Sequence, residues 1–106
     1  MGVTILNINN MRRINFKELN VEIGIDEFET RDLRKEIGNA VHRGAMDIPI
    51  HDLARVIYYS EGPIDIPDKE YLEMMEIVKR SFAFLVYDSV GKCAENITDK
   101  EEEAIS

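Results

Sequence analysis

The chain of 106 residues contains no tryptophan, one cysteine and three prolines. A lone Cys93 cannot close a disulfide within the chain, so a reducing, intracellular setting is the simpler expectation. No run of about 18 apolar residues occurs, and a membrane-spanning helix is therefore not expected. The start Met1-Gly2-Val3-Thr4-Ile5-Leu6 has neither the basic region nor the apolar length of a signal peptide, so none is expected. Positive charge is the minority: 13 Lys and Arg face 21 Asp and Glu, a formal net charge of −8. Such a surface repels nucleic-acid phosphates and anionic lipid unless a local basic patch overcomes it. The glycines nowhere form a phosphate-cradling loop.

What is present is ordinary globular composition, 44% hydrophobic and 32% charged, enough for one modest core. No repeat or linker divides it. Residues 1–98 read as a single α+β domain, and 99–106 as an acidic flexible tail.

The first third alternates with the period of a strand. Val3, Ile5, Leu6 and Ile8 form a short apolar run, and Asn9-Asn10 favours a turn. Leu19, Val21, Ile23 and Ile25 alternate with polar residues, as a half-buried strand does. Gly24-Ile25-Asp26-Glu27 suits a turn, with Phe28 on a short return strand. An N-terminal β-hairpin or small meander follows, and such a sheet must lean on helices or on another copy.

Three helices are expected after it. Thr30 is a good N-cap for the first, and Leu33, Ile37, Ala40 and Val41 share one face up to Gly44. Gly38 lowers helix propensity by about 1 kcal/mol, which suggests close packing there. After a loop, Ala45 to Pro49, a second helix runs over residues 50–60. Gly62-Pro63 stops it, with glycine taking the left-handed conformation. Ile64-Asp65-Ile66-Pro67 reads as an extended link. The third helix starts at Pro67 or Asp68 and runs to about Asn96, roughly 40 Å.

Tyr71, Met74, Met75, Val78, Phe82, Leu85, Val86, Ser89 and Cys93 form its core stripe. Ile77, Phe84 and Tyr87 fall off that stripe, so Phe82 to Tyr87 is apolar around the whole helix. The same six residues suit a strand on propensity, but their helical flanks favour helix. Ile77, Phe84 and Tyr87 are therefore a candidate partner surface, or else pack under the chain's own hairpin.

No segment has the residue types and spacing of a catalytic, cofactor or metal site. His42 and His51, with Asp47 and Asp52, straddle a loop without ligand spacing. Cys93 sits on the apolar stripe, where an inert thiol is expected. Asp65, Asp68, Glu70, Glu73 and Glu76 suit a solvated, dipole-complementing helix face better than a catalytic pair. Arg31, Arg34 and Lys35, with Arg12-Arg13 elsewhere, offer a basic face to nucleic acid. The net charge and the second helix's lack of base-reading residues argue against it.

The blocks Asp32-Leu33-Arg34-Lys35-Glu36-Ile37-Gly38, Leu53-Ala54-Arg55-Val56-Ile57-Tyr58 and Glu61-Gly62-Pro63-Ile64-Asp65-Ile66-Pro67 resemble small proteins of tailed-bacteriophage and prophage clusters. The resemblance covers about residues 14–95 and implies a cytoplasmic accessory protein, tied to particle morphogenesis in the host cell. It brings no catalytic residues. The expectation is a non-catalytic protein acting by self-association or by binding another protein, for instance a phage structural or assembly protein. The alternative is a small regulatory nucleic-acid-binding module using the first helix.

Overall fold

The computed structural model describes residues 8–100. Its elements are β1 (Ile8–Ile14), β2 (Leu19–Gly24), β3 (Glu27–Arg31), α1 (Arg34–Gly44), α2 (Ile48–Tyr59), β4 (Ile64–Pro67), α3 (Asp68–Ser81), α4 (Phe84–Cys93) and β5 (Glu95–Lys100). The fold is thus mixed, with four helices and five strands among the described residues. The strands form two small antiparallel sheets, β4-β1-β5 and β2-β3. None of the helices is long and apolar enough to cross a membrane, among the described residues.

The expected hairpin at residues 19–28 forms. β2 and β3 pair from Leu19 opposite Arg31 to Glu22 opposite Phe28, with an irregularity between Glu22 and Gly24. Its turn is made by Asp26, the one non-glycine residue at positive φ (57°) among those described. The Asp26 N–H donates to the Glu22 carboxylate at 3.1 Å, which steadies this left-handed backbone. The earlier apolar residues Val3, Ile5 and Leu6 lie outside the described residues.

Asn9-Asn10 is not a turn. Both residues sit inside β1, which pairs with β5 on one side and β4 on the other. Asn9 and Asn10 stand opposite Asp99 and Thr98 of β5, and that ladder prevails over the asparagine preference for a turn. The link Ile64–Pro67 accordingly becomes strand β4. Arg13 stands directly opposite Asp65 in that ladder, and donates to both its carboxylate oxygens at 2.7 and 3.0 Å.

Helix boundaries also shift. Thr30 ends up in β3 rather than capping α1, because the β2–β3 ladder continues to Arg31. The turn into α1 is instead held by Asp32, whose carboxylate accepts the Arg34 N–H at 3.2 Å. α2 starts earlier than expected, at Ile48. Asp47 is its N-cap, accepting the Ile50 N–H at 3.1 Å, and Pro49 sits in the first turn where its missing N–H is harmless. Its end is set by Ser60, whose N–H and hydroxyl both donate to the Ile57 carbonyl, at 3.3 and 2.8 Å. No glycine among those described has positive φ, so Gly62 does not make the stop.

The largest correction concerns the expected long helix. It breaks at Phe82 and Ala83, both extended (φ/ψ −131°/165° and −62°/155°), giving α3 and α4. Lys79 and Arg80 complement the C-terminal dipole of α3. The chain then turns so that α4 packs along β2. The final segment is strand β5 rather than helix and tail: it pairs with β1 through Asp99 and Lys100. Residues 101–106 lie outside the described residues.

α3 is the hub, in contact with α1, α2, α4, β1 and β4. Ile14, Phe16, Leu19, Ile37, Val41, Ile50, Ile57, Ile66, Met74, Val78 and Val90 are fully buried around it. Close helix approach is bought with glycine at two places. A Cβ on Gly38 would meet the Ala54 carbonyl oxygen at 3.1 Å and the Tyr58 Cβ at 3.0 Å, in keeping with the close packing expected there. A Cβ on Gly44 would meet the Ile77 Cγ2 at 2.9 Å.

Candidate functional site

The three residues offered as a partner surface part company. Ile77 is 5% exposed and belongs to the chain's own core, against Gly44 at the end of α1. The physical reason is that α1 and α2 wrap a second side of α3, so both apolar sectors of that helix are covered from within. Phe84 and Tyr87 stay together on α4, with ring centroids 6.1 Å apart. Phe84 is 69% exposed and Leu85 43%, while Tyr87 is half-buried beside Lys79, whose Nζ lies 5.9 Å from the ring centroid. None of the six residues from Phe82 to Tyr87 is fully buried, and Ala83, Phe84 and Leu85 are consecutive exposed apolar positions.

α4 is held in this pose by polar contacts with the edge of β2. The Ser89 hydroxyl accepts the Glu22 N–H at 3.3 Å. The Cys93 thiol lies 3.6 Å from the Asn20 carbonyl and donates to it. Residues four apart on a helix rise about 6 Å, and residues two apart on a strand about 6.7 Å, so one helix face meets two successive outward groups of β2. Cys93 is thus a half-buried edge donor rather than a fully buried thiol.

The basic residues of the alternative reading are engaged within the chain. Arg31 pairs with Glu29. Arg34 makes a two-pronged contact with Asp32 at 2.9 and 2.7 Å, and its Nη1 donates to the Ser60 carbonyl at 2.7 Å. That guanidinium joins the start of α1 to the end of α2, and it holds the Asp32 carboxyl down to about 2. Lys35 lies with its Nζ 6.0 Å from the Tyr58 ring centroid. Arg12 pairs with Asp68 at 3.0 Å and also covers the Tyr71 ring.

The packing of α1 on α2 brings His42 and His51 together, ring centroids 4.4 Å apart. Their separation in sequence carries no periodic signal that would have announced this. Among the described residues no group of three or more His, Cys, Asp or Glu is placed to hold a metal ion. Beside them a cleft of about 180 Å³ runs between the helices, floored by Gly38 and Ala54 and rimmed by Asn39, Arg55, Tyr58 and Tyr59. It offers hydrogen-bonding groups and one cation, but it falls short of the roughly 300 Å³ of the smallest usual ligand pockets. The apolar start of α4 is therefore the better candidate.

Compared with protein-family models, with curated proteins and with solved structures, the chain matches none.

Proposed function

We propose that the chain is a non-catalytic, phage- or prophage-like accessory protein that acts by binding protein, another copy of itself or a different chain. The phage-like part of this reading is supported by the sequence resemblance. The binding part is supported by one observation: in the apolar run Phe82 to Tyr87 no member is fully buried, and Ala83, Phe84 and Leu85 at the start of α4 are exposed in succession. Contiguous exposed apolar residues are uncommon on a solitary chain and mark interaction surfaces. They bind by removing that area from water, at roughly 25 cal/mol per Å².

Phe84→Asp tests the surface. Phe84 is mostly exposed, so the substitution leaves helix content by circular dichroism unchanged. It abolishes association through α4, read as a fall in mass by light scattering or as lost capture of a partner from host lysate. Unfolding of the variant would show Phe84 to be core, and an unaltered binding profile would remove α4 as the surface.

A further inference from the structure

The two edges of the β2–β3 hairpin are treated differently by the fold. The β2 edge is sealed by Ser89 and Cys93, which take up the outward Glu22 N–H and Asn20 carbonyl. Those contacts fix the phase of the ladder. Asn20 and Glu22 point their backbone groups away from β3, so their partners Thr30 and Phe28 point theirs away from β2. Nothing else in the described residues pairs with that outer edge, and all five residues of β3 are exposed. An open edge with outward Phe28 and Thr30 groups is a template for one more strand.

We infer that this edge pairs antiparallel with β3 of a second copy, about a two-fold axis at Thr30. The charge pattern Glu27-Phe28-Glu29-Thr30-Arg31 selects both the occupant and the register. Centred on Phe28, the pairing would set Glu27 opposite Glu29 twice. Centred on Glu29, it would set two Glu29 carboxylates face to face at the closest cross-strand spacing. Centred on Thr30, it sets Glu29 opposite Arg31 twice and the two threonines opposite each other, with no like charges opposed. The same axis carries the acidic tip, Asp26 and Glu27, alongside the start of α1 in the second copy, where Arg34 and Lys35 lie. A marginal two-stranded hairpin then becomes a four-stranded sheet. The α4 helices cover its two outer edges, and Phe84 and Leu85 remain on α4 away from the axis. The inference goes beyond the proposed binding surface and does not depend on it.

The experiment uses the full chain with Cys93→Ser, so that any thiol is the one introduced. Thr30→Cys places two thiols in a directly hydrogen-bonded pair, with Cα atoms about 5.5 Å apart, within disulfide reach. Phe28→Cys places them four residues out of register, about 14 Å apart. Under mild oxidation Thr30→Cys gives a covalent dimer at least about tenfold faster than Phe28→Cys. Phe84→Asp leaves this cross-link intact, which separates the β3 interface from the α4 surface. Without added cysteines, Glu29→Arg or Arg31→Glu alone weakens the dimer about tenfold or more in sedimentation equilibrium, and the double exchange Glu29→Arg/Arg31→Glu restores it. Equal cross-linking at both positions, faster cross-linking at Phe28, or a folded double exchange that stays monomeric would each overturn the inference.

Discussion

The placement of Ile77 inside the chain's own core can be tested by a double-mutant cycle with Gly44. Gly44 closes α1, and a Cβ there would sit 2.9 Å from the Ile77 Cγ2 and 3.1 Å from its Cγ1. Its φ is not positive, so alanine is allowed by the backbone and only the contact opposes it. Ile77 is β-branched and enclosed, so its Cγ atoms cannot swing aside as a long side chain would. Overpacking of this kind costs about 1–3 kcal/mol, and the gain in helix propensity at a terminal position is under about 1 kcal/mol. Gly44→Ala should therefore destabilise by about 1–2 kcal/mol. Ile77→Ala removes a buried side chain and should cost about 2–5 kcal/mol. In the double variant the new methyl enters the space that Ile77 vacates, so the pair should lose about 1–2 kcal/mol less than the sum of the two single changes. Urea unfolding at low protein concentration measures all four corners. Additivity within about 0.5 kcal/mol would mean that Ile77 does not face Gly44, and would return it to the candidate partner surface.

Ser89→Ala should leave the Glu22 N–H unpaired at the β2 edge. The loss is about 1 kcal/mol, and amide exchange should accelerate at Glu22 while β3-facing amides of β2 are spared. Unchanged exchange at Glu22 would show that α4 does not seal that edge. Asp32 has its folded value lowered to about 2, first by the side-chain hydrogen bond from Arg34. Its contribution to stability is present above its ordinary 3.8 and lost as pH falls toward 2. Asp32→Asn should therefore lower Tm at neutral pH and converge with the parent in acid; a constant gap down to pH 2 would refute the pairing. Glu73 has the opposite sign. Burial and then the Asp47 carboxylate raise its value above 4.5, so stability is lost as pH rises through that range. Glu73→Gln should raise Tm at neutral pH and make no difference near pH 3, and a gain persisting in acid would point to a different cause.

Sequence patterning revealed the elements whose signals are local. The period of two from Leu19 to Ile25 became β2 and its turn, and the apolar spacing Leu33–Ile37–Val41 became α1. Gly38 was legible because a glycine inside a good helix needs a packing reason. β1 was hidden, since its strand character comes from partners 50 or more residues away and Asn9-Asn10 speaks locally for a turn. β5 was hidden for the same reason: Glu95–Lys100 has little strand propensity, and only the β1 ladder extends it. Ile77 was misplaced because angle on a single helix cannot reveal how many neighbours surround it. Among the candidate residues, Phe84 and Tyr87 are legible as part of the all-round apolar run, whereas the opposed edges of the hairpin require the register itself.

The break at Phe82–Ala83 decides what each surface is free to do. No glycine or proline marks it, and the run Phe82 to Tyr87 is rich in the aromatic and branched residues that tolerate extended backbone. A continuous helix would have carried Ser89 and Cys93 along the α3 axis, away from β2. Broken, the chain returns α4 to the hairpin, and the spacing of those two side chains matches the outward groups of Asn20 and Glu22. Sealing β2 in this way leaves β3 as the only open edge of that sheet among the described residues. Ala83, Phe84 and Leu85, at the N-terminal end of α4 and ahead of the buried Ser89 and Val90, stay exposed. The exposed apolar corner and the sealing of β2 therefore both accompany one backbone event. A helix continuous through Phe82 and Ala83 would instead leave the β2 edge open as well as the β3 edge.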